Sequence, residues 1–188
     1  MQAMIKDDRA AKADAATVII DHLVAALGGE PSCTLRRAVV FTDIDQHPGT
    51  TQTDIMARTD LDKSSMNRDI EWLYDYGCIT RTPGGTDGRT IKLRTCGYAK
   101  KNLGLALEYF EFSHENLKYF LTGFISLFGQ HKPTLRDAKI VSVIGKNGAI
   151  SRARILDNLY QGPTTTDNRA VNNLINSGLV QKNDDERT

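Results

Sequence analysis

Apolar positions recur at helical spacing along most of the chain before the period shortens to two. Leu35, Ala38, Val39, Phe41 and Ile44 share one helix face, with Thr34 placed as an N-cap and His47, Pro48 and Gly49 as a stop. A short helix from Thr51 follows, burying Ile55 and Met56. Asp60 or Asp62 then caps a third helix with an apolar face of Met66, Ile70, Leu73 and Tyr74 or Tyr76. Gly77 suits a left-handed C-terminal cap. Residues 79–81 and the alternating Thr90, Ile91, Lys92, Leu93 and Arg94 flank Pro83, Gly84, Gly85, Thr86, Asp87 and Gly88, predicting a β-hairpin with a glycine-rich tip.

The pattern occurs twice. Thr34, Leu35 and Arg36 recur as Thr134, Leu135 and Arg136, and Thr51 and Ile55 as Ser151 and Ile155. One inserted residue later, Ser64, Ser65, Asn67, Arg68, Ile70, Leu73, Gly77 and Ile79 line up with Thr165, Thr166, Asn168, Arg169, Val171, Leu174, Gly178 and Val180. A period this long marks two copies of one small domain rather than a solenoid. Helix, helix, helix and hairpin make a winged helix-turn-helix. The predicted fold class is therefore mainly α with small β-hairpin wings (α+β): tandem winged helix-turn-helix domains joined by a long helical linker. The expected segments are an N-terminal helix (residues 1–30), a first winged domain (31–95), the linker (96–131) and a second domain with a truncated wing (132–188).

Residues 98–130 are aromatic and nearly free of helix breakers. Leu103, Leu107, Phe110, His114, Leu117, Leu121, Phe124 and Phe128 alternate steps of four and three, a heptad seam. Leu105, Tyr109, Phe112, Tyr119 and Leu127 widen the apolar surface and predict burial on more than one side. Ser113, before His114, Glu115 and Asn116, favours a fresh start and two helices with a bend. An N-terminal helix over residues 7–27 offers Ala16, Ile20, Leu23 and Leu27 as a partner stripe, closed by Gly28 and Gly29. Left exposed, such surfaces associate. Leu23, Leu27, Leu103, Leu107, Phe110, Leu117, Leu121 and Phe124 are therefore expected to build a homodimer, with packing inside one chain as the alternative.

In a helix-turn-helix the N-terminal end of the third helix reaches base edges while its amides meet phosphate. That end carries Lys63, Ser64, Ser65, Asn67 and Arg68, and in the second copy Thr165, Thr166, Asn168 and Arg169. Asn pairs bidentately with adenine and Arg with guanine, whereas Lys, Ser and Thr more often serve phosphates. The repeated Asn-Arg pair is the sharpest sign of base readout; the bland alternative is a solvated helix face. Arg89 and Lys92 would place the wing on the phosphate backbone or minor groove. The second copy ends in the acidic run Asn183, Asp184, Asp185, Glu186, Arg187 and Thr188, so its wing is expected to be short and to read no DNA.

Gly77, Ile79, Arg81 and Pro83, followed by Asp87 and Arg89 and then Thr95 and Gly97 opening a long helix, resemble the MarR family of bacterial regulators. The resemblance spans residues 34–101 and implies that Asp87 orients Arg89, which contacts DNA. It also implies that the terminal helices knit two subunits together and that a small-molecule effector binds nearby, with Tyr109, Phe110 and His114 as lining residues. Cys78 stands where that family usually has leucine, and Gly88 where a second arginine is common.

The formal net charge is only +1, but it is unevenly spread. Residues 57–101 hold nine Lys and Arg against six Asp and Glu, and residues 134–182 seven against three, whereas residues 1–30 hold three against five. Positive charge gathers where the reader elements fall, the footprint of a nucleic-acid binder. Three scattered cysteines and four histidines lack metal-ligand spacing, and no nucleophile, paired acid or phosphate loop emerges, so neither an enzyme nor a cofactor is expected. Oxidant sensing through Cys33 is a minor alternative. Without a membrane-length apolar stretch or a signal-peptide pattern, the expected location is the bacterial cytosol or nucleoid. The leading reading is a dimeric, sequence-specific double-stranded DNA-binding transcription regulator, a repressor. A plasmid or phage replication or partition protein and a winged-helix adaptor for other proteins are the alternatives.

Overall fold

The computed structural model describes residues 2–59, 61–84, 90–129, 132–160 and 164–182, with side chains from residue 11 onward. The chain opens with α1 (Gln2–Ala26), followed by α2 (Leu35–Gln46), α3 (Gln52–Thr59) and α4 (Lys63–Asp75), the last three each started by a side-chain cap. Thr34 accepts from the Arg37 amide, Thr51 from that of Asp54, and Asp62 from that of Ser65. Strands β1 (Ile79–Pro83) and β2 (Ile91–Thr95) pair antiparallel, with Arg81 opposite Leu93. Backbone bonds from Gly49 to the Leu93 carbonyl and from Leu93 to the Thr50 carbonyl, both 2.8 Å, tie the hairpin to the α2–α3 turn. Ile55, Met66, Leu73, Ile79 and Leu93 fill the space between. Tyr74 and Tyr76 are about half exposed, and Trp72 stacks on Tyr76 instead, so the apolar face of α4 is narrower than predicted.

The linker is two helices, α5 (Gly97–Glu108) and α6 (His114–Phe128). Glu111 and Phe112 adopt positive φ (52° and 61°), and Ser113 caps α6 by accepting from the Asn116 amide. This break splits the heptad seam. Leu103, Leu107, Leu117 and Leu121 are buried, but Tyr109, Phe112, Tyr119 and Leu127 are exposed, contrary to the two-sided burial expected. Leu23 and Leu27 are also buried, against α5 and the start of the second copy. The residues expected to hold two subunits together are thus largely filled within one chain; Phe110 and Phe124 are half-buried.

Helices α7 (Leu135–Asn147), α8 (Arg152–Asp157) and α9 (Thr165–Asn176) repeat the helical part of the first copy, with no strand after them among the described residues. A smaller core of Ile140, Ile155, Leu156, Val171 and Leu174 holds them, joined by Phe128 of α6. Gly77 and Gly178, equivalent positions, both take positive φ (66° and 76°), the backbone that ends each third helix.

The segments that open α2 and α7 meet in reciprocal contacts. Thr34 and Thr134, repeat equivalents, form an antiparallel bridge. Leu35 donates to the Pro133 carbonyl and Leu135 to the Cys33 carbonyl, each at 2.9 Å. The relation extends to the preceding helices: Ala16, Ile20, Leu23, Leu27 and Gly28 of the first correspond, 101 residues on, to Leu117, Leu121, Phe124, Phe128 and Gly129. These helices are exchanged, α1 packing on α7 and α6 on α2. Polar contacts follow the same exchange, since Gln46 donates to Glu115 at 3.0 Å where the equivalent Lys146 donates to the equivalent Asp14.

Candidate nucleic-acid interface

The surface that a duplex would meet is set by how α4 is clamped. Asp69 lies on its inner face, fully buried, and accepts from Arg36 Nε (2.7 Å) and Nη2 (3.1 Å) and from Arg37 Nε (3.0 Å) of α2. In the second copy Arg136 pairs with Asp167 at 2.8 Å, a carboxylate one turn nearer the helix start than Asp69. Both clamps fix rotation about the helix axis and leave the opposite face outward. Lys63, Ser64, Asn67 and Arg68 are exposed and Ser65 half-buried; Arg68 has no hydrogen-bond or ion-pair partner among the described residues. Thr165, Thr166 and Arg169 are exposed on α9, and Arg169 is equally free among the described residues.

The repeated asparagine has a structural task that its sequence position did not reveal. Asn67 Oδ1 accepts from Gln52 Nε2 of α3 at 2.5 Å. At the equivalent place Arg152 Nε donates to Asn168 Oδ1 (3.1 Å), Arg152 Nη2 to the Asn168 carbonyl (2.9 Å) and Arg152 Nη1 to Asn172 (2.8 Å). Asn168 Nδ2 in turn donates to the Thr164 carbonyl at 3.1 Å. Each asparagine therefore ties the second helix to the third. Bidentate adenine reading uses both amide atoms; Asn67 keeps Nδ2 for it, while Asn168 has both engaged. Arg68 and Arg169, one residue further on, are the exposed side chains of the pair that have no partner among the described residues.

On the hairpin, Lys92 is exposed, and Arg94, two residues on, is exposed on the same face with Leu93 buried opposite. Arg94 was not singled out in the sequence, although the period-two pattern contained it. Arg81 pairs with Glu71 at 3.0 Å and lies 4.5 Å over the Tyr74 ring, bracing the hairpin on α4. Asp87 and Arg89 lie outside the described residues. So does the acidic run after Lys182.

Behind this surface Asp43, fully buried in α2, accepts from Arg58 Nη2 at 2.6 Å, with Lys118 of α6 at 3.5 Å and His47 at 3.6 Å. Asp45 meets His114 of α6 at 2.9 Å. His114 does not line the open cleft of about 550 Å³ at the α5–α6 bend, whose aromatic lining is Tyr109, Phe110, Tyr119 and Phe120. Cys33 is fully buried, and burial pushes its thiol pKa far upward; Cys78 is pushed up to about 11 by the same cause. Neither is poised as a thiolate at neutral pH. No described helix is long and apolar enough to cross a membrane.

Three helices with a hairpin braced on the third define a winged helix-turn-helix, formed here by α2 to β2. Residues 33–91 match the MarR family model, and this segment is a MarR-like winged helix-turn-helix. No curated protein sequence matches the chain. Among solved structures, the chain is similar to the transcriptional regulator SlyA, with 17% identity and a TM-score of 0.38 over 51% of this chain. It spans about three fifths of that protein's length, 61%. It is also similar to MarR, at 17% identity and TM-score 0.38 over 67% of this chain and 90% of that one. Streptococcus pneumoniae FabT in complex with DNA matches at 15% identity and TM-score 0.39 over 50% of this chain and 71% of that one.

Proposed function

We propose that this protein is a sequence-specific double-stranded DNA-binding transcription regulator that presents the N-terminal end of α4 to the major groove and the hairpin to the adjoining backbone. The observation that carries the reading is the clamp on Asp69. Two arginines spend their charge fixing α4, and the outer face so defined carries Lys63, Ser64 and an unengaged Arg68. Lys92 and Arg94 extend the positive surface along β2. Arg68 is the base reader, suited to guanine, and Lys63, Ser64, Lys92 and Arg94 are phosphate contacts. Asn67 ties α4 to α3 beneath them. The family likeness of residues 33–91 supports the same reading. Repression is the mode we assign, because occupancy of a promoter site is sufficient for it.

The test is a fluorescence-anisotropy titration of the full chain with duplex DNA across a range of salt concentrations, using the wild type and Arg68→Ala. Affinity is expected to fall steeply with salt. Arg68→Ala is expected to cost about 1–3 kcal/mol on the preferred sequence and to narrow the gap to other sequences. Equal binding by both proteins at low salt, without sequence preference, would favour a protein-binding adaptor instead.

A further inference from the structure

We infer that one copy of this chain is a complete two-headed DNA-binding unit, α4 reading one half of a duplex site and the unlike α9 head the other, with no second subunit required. The inference rests on the DNA-binding reading above and names the kind of site it takes.

The first support is the reciprocal contact between the two halves. An antiparallel bridge between Thr34 and its own equivalent Thr134, with reciprocal bonds from Leu35 and Leu135, is the isologous contact that a two-fold axis generates, residue i to j and j to i. The exchange of α1 onto α7 and α6 onto α2, with Gln46–Glu115 mirrored by Lys146–Asp14, extends it across the molecule. In a homodimer each such contact would join two chains. Here one chain completes them, and Leu23, Leu27, Leu117 and Leu121 are buried without a partner.

The second support is the chemistry of the C-terminal head. Arg154 and Arg169 are exposed, and neither side chain has a partner among the described residues. Thr165 and Thr166 stand beside Arg169 as exposed hydroxyls. Asp167, on the first turn of α9, is buried against Arg136, which leaves Asp157 at the end of α8 as the exposed acid of α8 and α9, whereas the first head exposes Asp54 and Asp62 at the starts of its helices. The described part of the α9 head therefore offers phosphate exposed arginines and hydroxyls of the same kind as that of α4.

The two heads are not copies in chemistry. Asn67 retains a free amide where Asn168 does not, and Gln52 is replaced by Arg152. A symmetric dimer asks for a palindrome, but this pair asks for two unlike half-sites.

The test uses the full chain and a duplex recovered by selection from a random pool. Sedimentation of the complex gives the stoichiometry, and titrations compare wild type, Arg68→Ala and Arg169→Ala, with thermal unfolding confirming that the exposed substitutions leave the fold intact. The expected result is one chain per duplex. Arg169→Ala should weaken binding at least about fivefold on the full site and leave it unchanged on a duplex whose α9 half is scrambled. Two chains per duplex, or wild-type binding by Arg169→Ala, overturns the inference while leaving Arg68-dependent binding in place. Failure to bind any duplex overturns both.

Discussion

In the first copy the inner side of α2 carries two acids, Asp43 gathering Arg58 and Lys118, and Asp45 taking His114. In the second copy the same positions of α7 are Val143 and Gly145, and the polar contacts to the exchanged helix sit elsewhere, as Lys139–Asp21 and Lys146–Asp14. The frame is shared; the chemistry that closes it is not. Buried ion pairs add little net stability over apolar packing, but a missing partner is costly. The acids of α2 therefore act chiefly as discriminators. Helix α6 satisfies them with Lys118 and His114, whereas α1 offers Thr17 and Ala13 at the equivalent positions. Two nearly equivalent amphipathic helices are in this way directed to different partners.

The largest expected effect comes from the clamps on the third helices. Asp69→Ala removes the common partner of Arg36 and Arg37 and should cost about 3–5 kcal/mol in denaturant unfolding. Asp167→Ala, which frees one arginine, should cost less; equal losses would break the contrast between the halves. Next is the transplant of the second copy's chemistry into the first. Asp43→Val should destabilise by about 1–3 kcal/mol, because it strands the cations around it. Adding Lys118→Thr, which recreates the Val143 and Thr17 pairing, should restore part of that loss, and a double-mutant cycle measures the coupling. If the two losses simply add, Lys118 is not the discriminating partner.

Smaller effects belong to the caps. Thr164→Ala and Thr51→Ala should each cost about 1 kcal/mol, with helix content reporting the loss by circular dichroism. The smallest is a pH dependence. The Thr51 amide and hydroxyl hold the Asp54 carboxyl below its usual range, and the Ser65 side chain and amide do the same for Asp62. Both pKa values are lowered on folding, so the contribution is present above the usual carboxylate range near pH 4 and is lost as pH falls through the lowered values. A urea series from pH 6 to pH 3 should show stability declining at the acid end, less so in Asp62→Asn.

Much of the first copy was legible in the sequence because local signals sufficed. Thr34 and Asp62 cap helices there, as Ser113 does in the linker, Gly77 ends α4, and the period-two run around Leu93 forms β2. The exchange of α1 and α6 was not legible. A heptad stripe states that Leu23 and Leu117 will be buried, but not against which helix, and a stripe covered within the chain reads like one covered by a second subunit. The exposed Tyr119 and Phe112 show the same gap from the other side, since period alone cannot say how wide a face the neighbours will cover. Recurrence of Asn67 as Asn168 suggested a reader. The bonds to Gln52 and Arg152 give a reason for the repeat that requires no DNA, and those partners lie 15 and 16 residues away, beyond any local motif.

Whether α4 reads bases is decided by selecting bound sequences from a random duplex pool with wild type and Arg68→Ala. The expected result is an enriched motif of two unlike parts, one of which loses its base preference in Arg68→Ala while the other persists. No enrichment by the wild type, or an identical motif from both proteins, would contradict it.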